Sequence, residues 1–117
     1  MLMYEDPAAA IDFLQRAFGF QVSDDSTGAD NWLVLGDATL SVWGVWREAG
    51  FDTPRALGGV PSQLWCEVDD VDAHYERALA EGAVVVGPPG DLGHGFRAYR
   101  AVDLERHRWF FGTPIAP

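Results

Sequence analysis

The chain contains no lysine; all eight of its basic residues are arginines. No Schiff-base mechanism and no phosphate-loop lysine is therefore open to it. A single cysteine, Cys66, permits no internal disulfide, in keeping with a reducing compartment. Histidine is scarce as well: His74, His94 and His107 are spaced wrongly for a tetrahedral metal site. Long apolar runs are missing, and Ala83-Val84-Val85-Val86 is typical of those present, so no membrane span is expected. Met1-Leu2-Met3 has no basic flank and is too short for a signal segment. A cytoplasmic protein is expected. Positive charge is outweighed by 18 acidic residues, leaving a formal net charge of −10. No nucleic-acid partner is expected, because phosphate binding needs a basic face. The acidic balance serves solubility or the attraction of a cationic ligand. There is no Gly-x-Ser-x-Gly, no His-Glu-x-x-His and no pair of Cys-x-x-Cys, and Gly93 and Gly95 fit no phosphate loop.

What is present is one pattern written twice. Asp6 is a good N-cap and Pro7 suits the first helical position. Ile11, Leu14 and Phe18 repeat at helical spacing, with Ala10, Phe13 and Ala17 widening the stripe, and Gly19 supplies the stop. Gln21 to Ser23 starts a strand, and Asp24 to Asp30 is turn-rich. Asn31 to Leu35 and Thr39 to Trp43 are strands joined at Gly36-Asp37. Val45 to Pro61 has no period and reads as a linker. The second copy opens at Ser62 to Val68, and Asp69 or Asp70 caps the next helix. Val71, Tyr75, Ala78 and Leu79 form its buried stripe, and Gly82 ends it. Strands follow at Val84–Val86, Phe96–Val102 and Arg108–Gly112, with a loop at Pro88–Gly95. The order βαβββ-βαβββ predicts an α+β fold of about eight strands. Residues 1–61 form the first module with its linker and 62–117 the second, together one domain. Two curved half-sheets of this kind enclose a central cleft.

The five tryptophans, Trp32, Trp43, Trp46, Trp65 and Trp109, are many for this length. Aromatic walls stack flat ligands and attract cations, each contact contributing about 0.5–2 kcal/mol; core packing is the competing role. Trp43 shares strand parity with Ser41, and Trp65 shares it with Gln63 and Glu67. If that face is concave, Glu67 looks into the cleft as a cation ligand or a base. Cys66 has the opposite parity and reads as a packed thiol. His74, set between acidic residues on a helix, is expected to be solvated, His107 to be structural, and His94 to face the cleft.

These elements resemble the vicinal oxygen chelate superfamily, which includes glyoxalase I, extradiol dioxygenases, fosfomycin-resistance enzymes and bleomycin-binding proteins. Tyr4-Glu5-Asp6-Pro7 through Phe18-Gly19-Phe20 looks like the first helix of that family, and Val68-Asp69-Asp70-Val71-Asp72-Ala73-His74-Tyr75 like its second. Asp103-Leu104-Glu105-Arg106-His107-Arg108-Trp109 looks like its closing Asp-Pro-x-Gly-His-x-Trp hairpin. The bleomycin-resistance and PhnB-like branches are the most similar. The resemblance implies one metal ligand on each of four strands. The matching positions here fall at or before Met1, at Ser41, at Gln63 and at Phe110, so neither a metal nor another cofactor is expected. With the parity above, the ligand-binding candidates are Trp43, Trp65, Gln63, Glu67, Ser41, Tyr99 and Phe110. Arg97, Tyr99 and Arg100 alternate faces on the seventh strand, and which of them point inward is left open, while the resemblance places Trp109 beneath the closing hairpin. The expected function is metal-independent binding of an aromatic or cationic small molecule, such as a drug or natural product held in antibiotic sequestration. Two alternatives stand beside it: a metal-dependent lyase, isomerase or dioxygenase of the same superfamily, and a non-catalytic partner-binding module. A two-fold homodimer is expected, because one short chain covers its apolar cleft faces poorly.

Overall fold

The computed structural model describes residues 1–23, 31–59, 63–92 and 95–115. The first module runs β1 (Leu2–Tyr4), α1 (Pro7–Phe18), β2 (Gln21–Val22), β3 (Asn31–Leu35) and β4 (Ala38–Gly44). A 3-10 turn at Arg47–Ala49 and the short α2 (Pro54–Leu57) lead to the second module. That module runs β5 (Leu64–Glu67), α3 (Val71–Ala80), β6 (Val84–Asp91), β7 (Phe96–Val102) and β8 (Arg108–Pro114). The strands form two four-stranded mixed sheets, A in the order β1-β4-β3-β2 and B in the order β5-β8-β7-β6. In each sheet the first strand of the module lies parallel to the last, and the others pair antiparallel. This is the α+β architecture of two βαβββ modules. Among the described residues no helix is long and apolar enough to cross a membrane.

Both long helices start as their sequences dictate. The Asp6 carboxylate accepts from the Ala9 N–H, Pro7 occupies the first turn, and Gly19 at φ 81° closes α1 by donating to the Leu14 carbonyl. Asp70 accepts from the Ala73 N–H in the same way at the start of α3. Each sheet turns one face into a common core. Sheet A supplies Leu33, Leu40 and Val42; sheet B supplies Cys66, Tyr99, Ala101, Trp109 and Phe111. Phe18 at the end of α1 is the hub, with ring centroids 4.8 Å from Phe111, 5.5 Å from Trp109 and 5.3 Å from Phe13. Helix α1 packs on β1 and β4 of its own sheet and against α3, and its last residue, Phe18, reaches Trp109 and Phe111 of the second module, so the two modules share one core. Each large side chain buried there contributes about 1.5–3 kcal/mol.

A polar clasp ties the modules together on the same side. The turn from Asp103 to His107 reaches back to β1. The Tyr4 hydroxyl and the Trp109 indole N–H both donate to Asp103 Oδ2, while Oδ1 accepts the backbone N–H groups of Glu105 and His107. The Glu105 carboxylate accepts the N–H groups of Glu5 and Asp6 at 2.6 and 3.0 Å. His107 Nε2 lies 2.8 Å from the Met3 carbonyl, so that nitrogen carries the proton and donates. Asp103, Glu105 and His107 are all buried. Burial raises the Asp103 carboxyl above its ordinary range against the pull of these donors, and raises the Tyr4 hydroxyl well above its own. Arg106, in the same turn, has φ 78°, the one left-handed non-glycine among the described residues. That conformation costs an L-residue about 1–2 kcal/mol.

Three local expectations need correction. The stretch expected to be a loop from Pro88 is strand as far as Asp91, with register shifts between Val85 and Gly90. Strand β6 is the edge of sheet B, where the missing N–H groups of Pro88 and Pro89 cost no ladder bond. The aperiodic stretch after Val45 contains α2, capped by the buried Thr53, whose hydroxyl accepts from the Ala56 N–H. Leu79 is exposed and does not belong to the buried stripe of α3. The turn-rich stretch Asp24–Asp30 and His94 lie outside the described residues.

Candidate functional site

With one face of each sheet in the core, the alternate residues of every strand point away from it. On sheet B this open face carries Glu67 and Trp65 from β5, Phe110 and Gly112 from β8, and Phe96, Ala98 and Arg100 from β7. The register sets them in rows: Trp65 beside Phe110 beside Arg100 beside Gly87, and Glu67 beside Gly112 beside Ala98 beside Gly90. The second row holds three residues with little or no side chain. A large ring from the first row can therefore lie across it.

Trp65 does so. Its indole meets Phe96 edge-on at 5.2 Å and tilts against Phe110 at 5.9 Å. A Cβ added to Gly112 would come within 2.6 Å of Trp65 Cη2, so the glycine is the seat of the indole. Even so seated, Trp65 remains 44% exposed. On the other side of Phe110 the Arg100 guanidinium carbon stands 5.8 Å from the ring centroid. A Cβ at Gly87 would press on that guanidinium at 3.1 Å. Beside this group lies a cavity of about 330 Å³, floored by Gly90 and Ala98 and walled by Pro88, Leu92, Arg100 and Phe110. Its chemistry is that of an aromatic platform with Arg100 as a cationic edge and Asp91 as an acidic one.

The sequence candidates divide between the two sheets. Trp65, Glu67 and Phe110 share the open face of sheet B, and Gln63 is exposed just before β5. Ser41 and Trp43 lie on sheet A, where the Trp43 indole N–H donates to the Ser41 hydroxyl at 2.8 Å. Ser41 is buried, Trp43 is half-buried, and Trp32 pairs with Ser41 across the strands. Tyr99, expected on the ligand side, faces the core and is 1% exposed. Its parity opposes that of Arg100, and its hydroxyl is 2.6 Å from His74 Nδ1. Sequence reasoning missed Gly112, Ala98 and Phe96 as parts of the platform, and it left open which of Arg97, Tyr99 and Arg100 point inward. Their signal is period-two alternation on β7 and β8, which separates two faces without saying which one is open.

His74 is also corrected. It is half-buried rather than solvated, and both ring nitrogens are engaged. Nε2 lies 2.6 Å from the Phe18 carbonyl and must donate to it, so Nδ1 accepts the Tyr99 O–H. Burial holds this imidazole below its usual range, in the neutral form the network needs. It joins the end of α1 to β7 and has no nitrogen free for a metal or a substrate. Cys66 is buried, with its thiol pushed up to about 11 by desolvation, which makes it a poor nucleophile. Among the described residues no three His, Cys, Asp or Glu side chains gather into a metal-binding group. At two of the superfamily's ligand positions Ser41 already accepts from Trp43 and Phe110 has no donor atom, so these residues do not fit a divalent cation.

Residues 1–111 match the family model described as the Glyoxalase/Bleomycin resistance protein/Dioxygenase superfamily. An uncharacterized protein of Mycobacterium bovis is 34% identical over 97% of this chain and 80% of its own length. Among solved structures, TioX from Micromonospora sp. ML1 superposes with a TM-score of 0.76 at 32% identity, over 99% of this chain and 94% of TioX. The fosfomycin resistance protein FosX from Mesorhizobium loti superposes at 0.68 with 15% identity, over 96% and 86% of the two chains, and shares the fold. The chain belongs to the glyoxalase/bleomycin resistance protein/dioxygenase superfamily.

Proposed function

We propose that this superfamily member is a metal-independent binding protein for a planar aromatic small molecule, a drug or natural product that it sequesters. The observation that carries the reading is the seating of Trp65. The chain keeps an indole in a fixed pose beside Phe96 and Phe110 on an open sheet face, 44% exposed. A flat ring stacked there would gain about 0.5–1.5 kcal/mol per aromatic contact beyond its area burial. Of the two ligand classes expected, the aromatic one is favoured over a bare cation, because the Arg100 guanidinium already stands over Phe110. Arg100 then serves as a polar handle that orients a carbonyl, phenolate or carboxylate on the ring. A metal-dependent reaction is disfavoured by the chemistry at positions 41 and 110.

In this reading the working unit is a two-fold dimer, in which a second copy walls in each open face, where Trp32 on sheet A and Trp65 on sheet B are exposed, and leaves room for the ligand on Trp65. Light scattering at micromolar concentration should return twice the chain mass; a monomer would remove this part of the proposal. The binding test is fluorescence titration of a panel of planar drugs against wild type and Trp65→Ala, with thermal melting as a control. The variant should bind about 1–3 kcal/mol more weakly, the loss typical of an aromatic anchor, and should melt close to wild type. Equal affinity in both proteins would sink the reading.

A further inference from the structure

The eight arginines are not used alike. Arg16, Arg47, Arg55 and Arg97 are in ion pairs with carboxylates. Arg77 donates to the carbonyls of Gln15 and Arg16, and Arg100 lies over Phe110. Among the described residues, Arg106 and Arg108 make no ion pair and no side-chain hydrogen bond. Both line a second cavity, of about 330 Å³, where the end of β7 and the start of β8 meet α2. Arg55, Gly58, Gly59 and Val102 complete its wall.

Three arginines line this one cavity, and all three are exposed enough to meet an incoming anion, Arg55 while bonded to Glu5 and Glu105. The carboxylates nearest in the bonding pattern are Glu5 and Glu105, and both are spoken for. Arg55 holds the two of them, and Glu105 also accepts the N–H groups of Glu5 and Asp6. Among the described residues no carboxylate pairs with Arg106 or Arg108, and both are exposed.

Arg106 also sits in a strained backbone. Its φ of 78° is a conformation that glycine adopts freely and arginine does not. The closing hairpin it resembles carries glycine at this place. An arginine held there, with no partner among the described residues, bears the strain without an observed return. Such an outlier is grounds for a functional hypothesis. Gly58 and Gly59 leave the opposite wall without side chains, and a Cβ built on either meets nothing within 4 Å.

We propose that this cavity is an oxyanion site, taking a phosphate, phosphonate or sulfate group between Arg106 and Arg108 with Arg55 at its edge. Guanidinium forks match the geometry of such groups, and two of them supply the charge that a dianion needs. The group arrives either as a free ion or as the terminus of a larger ligand. Arg108 is two residues from Phe110 on the same face of β8, so a ring on the aromatic platform would reach this cavity through a short spacer. The site itself does not depend on the platform.

Thermal unfolding and calorimetry of the full chain test this with inorganic phosphate and with 1-naphthyl phosphate, at constant ionic strength against chloride. Phosphate should raise the melting temperature of wild type and bind saturably. Arg106→Gly should melt at or above wild type without phosphate, because glycine relieves the left-handed backbone. It should nevertheless bind phosphate about tenfold or more weakly, the loss expected for one charge-assisted contact. Arg108→Gln should weaken binding similarly, and Arg16→Gln, on α1, should not. A stronger response to naphthyl phosphate than to phosphate assigns the site to a group on an aromatic ligand; equal responses assign it to the free ion. Trp65→Ala must leave the phosphate response intact, which separates this site from the proposed platform. No phosphate effect beyond chloride in wild type, or an undiminished one in both Arg106→Gly and Arg108→Gln, overturns the proposal.

Discussion

The two modules are the same drawing filled in differently. Superposing their helix caps, Asp6 on Asp70, places Leu2 on Cys66 and Met3 on Glu67. The strand registers then place Val42 on Phe111 and Trp43 on Gly112. At this position of the open face, sheet A grows an indole from its own central strand. Sheet B has a bare glycine there and lays over it the indole of Trp65, brought from the edge strand. Trp43 is tied down by its bond to Ser41 and half-buried, whereas Trp65 is held only by rings and remains more exposed. The closing turns differ as well. The hairpin of the first module turns at the exposed Gly36 and Asp37, while that of the second is the buried Asp103–His107 clasp. A repeated topology sets where side chains can stand, and the local filling decides which copy is structural and which presents a surface.

Breaking the clasp should show the largest asymmetry. Asp103→Ala strands the Tyr4 hydroxyl, the Trp109 indole N–H and two backbone N–H groups inside the protein. A loss of about 3–5 kcal/mol is expected, as for the breaking of other buried charged networks. Asp37→Ala, at the exposed turn of the first module, should stay within about 0.5 kcal/mol. Urea midpoints at unchanged slope measure both. Similar losses in the two variants would mean that the clasp is not what joins the modules.

The glycine seat gives a smaller effect. Gly112→Ala should cost about 1–3 kcal/mol by overpacking against Trp65 and should shift tryptophan emission as the indole lifts. In a Trp65→Ala background the same change should cost close to nothing. The coupling is the readout, since the two residues meet only through this contact. An unaltered cost in that background would show that Gly112 is needed for some reason other than the indole.

The smallest effect concerns pH. Burial holds His74 below the ordinary histidine value of about 6.5. The folded state therefore binds its proton less readily than the unfolded chain. Its contribution is complete above about pH 6.5 and is lost as pH falls from there toward the folded value. Asp103, raised by burial, acts in the opposite sense, because protonation relieves its cost as pH falls. His74→Gln should be less stable at neutral pH and show a flatter decline in melting temperature between about pH 7 and 5. An unchanged pH profile would show that His74 does not carry the linkage. The aligned position in the first module is Ala10, so only the second helix brings this sensitivity.

Much of this was legible in the amino-acid order. Both caps, the glycine stop of α1 and the doubled βαβββ order are written in residues that are neighbours or alternate neighbours. Trp65 and Glu67 could be named as candidates from their parity with Gln63, and Phe110 only from the family resemblance. Tyr99 could not be sorted, because alternation on β7 separates Tyr99 from Arg100 without telling which side the helices cover.

What the sequence by itself determined is therefore the order of the main helices and strands and the two faces of each strand, since capping, helical stripes and pleating depend on contacts a few residues long; the short α2 and the far end of β6 were not among them. Only the tertiary structure decided which face is open, that Gly112 carries Trp65, that His74 is locked between Phe18 and Tyr99, and that Arg106 and Arg108 share a cavity with Arg55. The bond from Tyr4 to Asp103 spans 99 residues. No local period encodes such a pairing, because it exists only once the two modules have closed on one core.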